Sequence, residues 1–132
     1  MKVVAISLVS WLAGLASYLG SLRLLWGQRI SEGDLWAVVF WSAVASVFAV
    51  SAAYAPAMFA LQRRAATLRE WWLFPLAGIA LGVVPVLLIV ILFQGNPSSF
   101  VSPEAILFHC MFAAFGAVFG TGFYWAYGRR RV

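Results

Sequence analysis

The stretch Pro103-Glu-Ala-Ile-Leu-Phe-His-Cys-Met-Phe-Ala-Ala-Phe-Gly-Ala-Val-Phe-Gly-Thr-Gly-Phe-Tyr-Trp-Ala-Tyr127 decides how this chain is read. A helix needs about 20 mostly apolar residues to span a bilayer, and this stretch supplies them. It opens with a helix start: Ser102 as N-cap, Pro103 at the first helical position and Glu104 in the first turn. Free N–H groups and the positive end of the helix dipole favour that order. It closes on Arg129, Arg130 and Arg131, a basic anchor. Gly116 and Gly120 have the GxxxG spacing that lets two helix backbones approach. The stretch also holds the single His, His109, and the single Cys, Cys110.

The rest of the chain repeats the pattern. It is 64% hydrophobic and 10% charged over 132 residues, with a mean hydropathy of +0.96. Soluble domains are about 45–50% apolar and about 25% charged, so such a chain cannot cover a folded surface with polar groups. The expectation is an all-α integral membrane bundle of four transmembrane helices in two hairpins. Its spans are about 3–26, 35–61, 68–93 and 103–127, forming one domain over 1–132. The apolar run from Val3 to Leu22 exceeds the signal-peptide core of about 7–15 residues. It is read as a retained first span.

Each span carries small residues at helical spacing. In the first, Ser7, Ser10, Gly14, Ser17 and Ser21 share a face; in the second, Ser42, Ser46, Ala49, Ala53 and Ala57 do so. Gly78 and Gly82 form a second GxxxG in the third. Lipid gives no hydrophobic drive for helix association, so small-residue faces mark expected contacts between helices. Ser10, Gly14, Ser17, Ser42, Ser46, Gly78, Gly82, Gly116 and Gly120 are the expected packing residues. Pro56 removes a backbone donor and should bend or loosen its turn, and Pro85 weakens the middle of span three. Ser31–Asp34 and Thr67–Glu70 have capping-box spacing.

Four spans put Lys2, Arg63, Arg64, Arg69, Arg129, Arg130 and Arg131 on one side, seven of the nine basic residues. Only Arg23 and Arg29 fall on the other. The positive-inside rule then makes both termini cytoplasmic, in a bacterial inner or plasma membrane. Glu32, Asp34, Glu70 and Glu104 all stand at helix starts, where the dipole accounts for them. The net charge of +5 and pI near 10.2 are thus topological and call for no nucleic acid. The expected partners are anionic headgroups at the cytoplasmic face, with a homo-oligomer or a larger membrane partner.

Chemistry has few places to reside. His109 is the one ionisable residue well inside a span, about 9 Å from Pro103 along the helix. It reads either as a proton-sensitive or ligand-binding group, with Glu104, Arg23 and Asp34 at the outer mouth, or as a neutral His bonded to a Ser hydroxyl of span one or two. One His and one Cys cannot build a bis-His haem or a metal site within one chain. No catalytic constellation is found, and no cofactor is expected. The function expected is a non-enzymatic accessory, assembly or interaction subunit. The alternative is a small oligomeric channel or transporter with a path lined by Ser residues and His109.

Overall fold

The computed structural model describes residues 1–27, 29, 31–64, 71–94 and 102–128. Among them there is no strand, and the helices form four rods. The first is α1, Lys2–Trp26. It stops at Gly27, whose φ of 63° is left-handed and whose N–H bonds the Arg23 carbonyl at 3.0 Å. Glycine meets that conformation without steric cost, which makes it a natural terminator.

The second rod is continuous from Glu32 to Arg64, longer at both ends than the 35–61 expected. It consists of α2 (Glu32–Ala49), a widened π-turn (Val50–Tyr54) and α3 (Ala55–Arg64). Ser31 caps α2: its hydroxyl accepts from Asp34 N–H at 3.2 Å and donates to the Asp34 carboxylate at 2.6 Å. The loosening expected at Pro56 takes the form of the π-turn just before it, where Ala55 N–H reaches back to the Val50 carbonyl. Proline has no N–H and its ring crowds the carbonyl four residues earlier. A wider turn relieves that clash and adds one residue to the turn. At 3.6 residues per turn, one extra residue rotates everything downstream by about 100°.

The third rod, α4, is Leu73–Gln94 rather than 68–93. Trp71 and Trp72 form a turn, and the first helical bond runs from Leu76 N–H to the Trp72 carbonyl at 3.2 Å. Pro75 explains the later start, since a residue without an N–H fits the first helical turn. Residues 65–70, with the Thr67–Glu70 box, lie outside the described residues. The fourth rod is α5, Pro103–Phe123, extended by a second π-turn, Tyr124–Gly128. Ser102 caps it, accepting from Ala105 N–H at 3.2 Å. Among the described residues, Lys2–Trp26, Glu32–Arg64 and Ala105–Gly128 are long and apolar enough to cross a membrane, and α4 contributes the shorter apolar helix Leu73–Leu88.

The centre of the bundle is α5, which packs antiparallel to both α4 and α1. Against α4 the backbones touch. A Cβ at Gly116 would fall on the Gly78 carbonyl, one at Gly78 on the Gly116 carbonyl, and one at Gly120 on the Phe74 carbonyl. Against α1 the fit is slightly looser: a Cβ at Gly14 would stand 3.1 Å from the Met111 carbonyl. Ser10 is fully buried with its hydroxyl on the Ile6 carbonyl at 2.7 Å, and Ser17 donates across to the Cys110 carbonyl at 3.2 Å.

The second rod runs parallel to α5 but joins it only through its later half. Val50 and Tyr54, the first and last residues of the π-turn, and Met58 beyond it pack with Phe74, Phe115, Phe119 and Phe123. Phe115, Phe119 and Phe123 stack up one face of α5, with centroids 6.1 and 6.4 Å apart. Tyr54 meets Phe115 and Phe119 edge-on at 5.1 and 5.3 Å. The side chain of Gln62 donates to the Tyr127 carbonyl in the second π-turn at 2.9 Å. By contrast, none of the 18 residues of α2 is buried. The bundle is therefore closed where the termini lie and open along α2.

Candidate functional site

The open side is a groove between α2 and the α1–α5 face. It has three sections that share walls. One, of about 380 Å³, lies between the first turns of α1 and the later part of α2, against Ser7, Trp11, Ser46 and Ser51. Another, of about 360 Å³, lies toward the other end, against Tyr18, Trp41, Ser42 and Phe108. Between them is a neck of about 40 Å³ walled by Trp11, Ser42, Ser46, Tyr54 and Phe112 among others. A cross-strut ties α2 to α1 there: Trp11 Nε1–H donates to the Ser42 hydroxyl at 3.0 Å.

The sequence forms this groove by phase. Ser42, Ser46 and Ala49 precede the π-turn, Tyr54 is its last residue, and Met58 follows it. The rotation at the turn faces the later residues into the core and leaves the small residues lining the gap. Ser42 and Ser46 line the gap and are half-buried, whereas Ser10, Gly14, Ser17, Gly78, Gly82, Gly116 and Gly120 are at helix contacts. The hydroxyl protons in the wall are used locally: Ser7 donates to the Val3 carbonyl, Ser42 to Val39 and Ser46 to Ala43. Their oxygens remain as weak acceptors on an otherwise apolar surface.

Of the residues expected at an outer mouth, Asp34, Arg23 and His109 have described side chains. Asp34 is occupied as a cap by Ser31, and both Asp34 and Arg23 are exposed. Glu104 lies in the first turn of α5, and its side chain is outside the described residues. His109 is half-buried, and its Nδ1 bonds the Ala105 carbonyl at 2.5 Å, so its partner is its own helix and not a Ser. A carbonyl can only accept, so Nδ1 carries a proton. Nε2 is buried and has no hydrogen-bond partner among the described residues. The His is not among the residues walling the groove.

Two features were not singled out in the sequence: the neck and Tyr54. Tyr54 is 2% exposed and its hydroxyl has no hydrogen-bond partner among the described residues. A cue exists, because Phe115, Phe119, Phe123 and Tyr127 recur every four residues and mark an aromatic face that a tyrosine could join. Among the described residues no three of His, Cys, Asp and Glu come together as a metal-holding group. The chain matches no family model, no curated protein and no solved structure.

Proposed function

We propose that the chain is a four-span integral membrane protein, with both termini cytoplasmic, that works by binding and not by catalysis. In this reading it is a lipid-associated accessory subunit whose groove along α2 holds an apolar chain drawn from the bilayer. Lipid as solvent is supported by the large apolar side chains exposed on all four rods, among them Leu24 at 85%, Phe48 at 71%, Leu92 at 78% and Trp125 at 61%. Water does not tolerate apolar surface on that scale. The orientation is supported by the placement of Lys2, Arg63 and Arg64 at the end of the bundle opposite Glu32 and Asp34. A reporter that works only in the cytoplasm, fused after Val132, reads it directly.

The observation that carries the binding role is the combination of an unburied α2 with a groove crossed at its neck by the Trp11–Ser42 bond. Sections of about 380 and 360 Å³ suit a hydrocarbon chain, within the range of about 300–1,000 Å³ usual for ligand sites. Filling the neck should block it. Ser46→Leu should lose bound lipid in native mass spectrometry while keeping wild-type helicity and unfolding. Lipid retained at the wild-type level in that variant would remove the groove as the binding place.

A second reading, transport along the groove, is favoured by Ser7, Ser42, Ser46 and Ser51 in its wall. The separate position of His109 argues against the form of it in which that residue lines the path. Liposome flux unchanged in His109→Ala would exclude His109 from any transport.

A further inference from the structure

We propose that α2 is a strap over the groove, pivoted at its two ends and latched near its middle by the Trp11–Ser42 bond, and that release of this latch admits the chain the groove holds. The inference rests on the groove being the place where the protein holds an apolar chain, and it adds how that place is opened.

Burial divides the second rod at the π-turn. From Val50 onward the rod is anchored: Val50, Tyr54 and Met58 are buried in the aromatic core, and Gln62 donates to the Tyr127 carbonyl. Before Val50, none of the 18 residues of α2 is buried. Each other rod has buried residues, among them Ser10 in α1, Phe74 in α4 and Phe119 in α5. The groove wall takes Ser42, Ala45, Ser46 and Ala49 from α2, and such small side chains give little dispersion contact. Helices in lipid are held by close packing and by bonds between them. With little of the first, α2 depends on the second.

Both ends of α2 meet backbone that can turn. At one end α1 stops at Gly27, in the left-handed conformation, shortly before α2 begins at Glu32. At the other end is the π-turn. There the Val50 N–H is shared between the Ser46 and Val47 carbonyls, and Ala55 N–H reaches back to Val50. Pro56 has no N–H to give the Ala52 carbonyl. Helices bend at π-turns and prolines, and hinges are a few element-terminal residues that absorb the change in φ and ψ. The border between the anchored and unanchored parts of the rod thus falls where the rod bends most easily.

The latch sits between these pivots. Ser42 is near the middle of α2 and walls the neck. Its hydroxyl accepts from Trp11 Nε1–H at 3.0 Å and donates to the Val39 carbonyl of its own helix at 3.1 Å. An indole N–H can only donate, and hydrocarbon offers it no acceptor, so lifting the strap leaves that donor unpaired. A bond between helices in lipid shifts an equilibrium roughly threefold. That is enough to favour the closed strap and small enough for an entering chain to overcome. The neck holds about 40 Å³ between sections of about 380 and 360 Å³, little more than the roughly 30 Å³ of one water in the liquid. A chain longer than one section therefore enters only with the strap lifted.

The test measures distances between paired spin labels in the full chain, in lipid nanodiscs and on a Cys110→Ala background. One pair, at positions 12 and 40, spans α1 to α2; the other, at 12 and 60, spans α1 to α3. Leu12, Phe40 and Ala60 are all exposed. Trp11→Phe keeps a ring and removes the donor. It should raise the longer-distance fraction of the 12–40 pair roughly threefold and leave the 12–60 pair unchanged. Ser42→Ala, which removes the acceptor, should do the same from the other side of the bond. Both variants should also exchange bound lipid for deuterated lipid faster than the wild type, read by native mass spectrometry. A 12–40 distance unchanged in both variants would overturn the latch. An equal change in the 12–60 pair would overturn the pivot at the π-turn. A lifted strap with unchanged lipid exchange would overturn its role in admission. If the wild type holds no lipid at all, the groove reading fails, and the admission role with it, whatever the distances show.

Discussion

Gly116→Leu should separate α4 from α5 and cost the bundle roughly 3 kcal/mol or more. Even one methyl at this position would fall on the Gly78 carbonyl, and the obstacle is backbone on both sides, so no rotamer change relieves it. Overpacking usually costs about 1–3 kcal/mol, and larger values come from sites that cannot relax. In a bilayer, the setting of the proposed function, the effect is sharper. Helices in lipid are held by close packing and interhelical bonds and not by exclusion from water. Moving them apart loses dispersion contacts along the whole Gly78–Gly82 and Gly116–Gly120 seam. The matched control is Gly20→Ala, where no atom lies within 4 Å of the added Cβ. It should be neutral or gain up to about 1 kcal/mol from helix propensity. The measurement is unfolding in mixed micelles of rising SDS content, followed by loss of helicity. Equal midpoints for the two variants would mean that the two helices do not meet in this register.

Phe119→Ala should follow closely, at roughly 2–4 kcal/mol. Phe119 is fully buried and touches Tyr54, Phe115 and Phe123. In a water-soluble core a Phe→Ala change costs about 3–5 kcal/mol, part of it the lost transfer from water. That part shrinks when the unfolded reference is already in micelle or lipid. What stays is the cavity and three ring contacts, each worth about 0.5–1.5 kcal/mol. Phe48→Ala is the control, since Phe48 is 71% exposed and its loss should stay within about 0.5 kcal/mol. A Phe119→Ala protein as stable as that control would show that the second rod is not held by the aromatic core.

The four rods were legible because each is a long apolar run bounded by polar segments and helix-start residues. Ser31, Ser102 and Gly27 act at the ends as their chemistry requires. The glycine seam was also legible, because GxxxG has one physical use in a helix pair. The arrangement of the second rod was not. In a soluble helix the polar face reveals which side is buried. Here nearly every face is apolar, so hydropathy does not separate a face toward lipid from one toward a helix. Ser42 and Ser46 have the same spacing logic as Ser10, Gly14 and Ser17, yet only the latter pack on α5. The difference is produced by the π-turn at Val50–Tyr54, and Pro56 announces only that the turn is disturbed, not in which direction. Tyr54 could not be placed without that rotation.

His109 shows the same limit from the other side. Its rarity made it the candidate in the sequence, and the structure gives it a bond to its own helix, away from the groove. Tyr54, one of four tyrosines, had nothing to distinguish it until its hydroxyl was seen buried with no hydrogen-bond partner among the described residues.

In the proposed function α2 stands away from α1 and α5, and a chain from the bilayer fills the gap. A photoreactive diazirine amino acid placed at position 46, with a second placement at position 10 for comparison, tests this in native membranes. Position 46 should give a covalent lipid adduct in intact-mass measurement, and position 10, buried against α5, should link only within the protein. An adduct-free position 46 that links instead to α1 or α5 would contradict the account, because α2 would then close on the bundle and leave no groove.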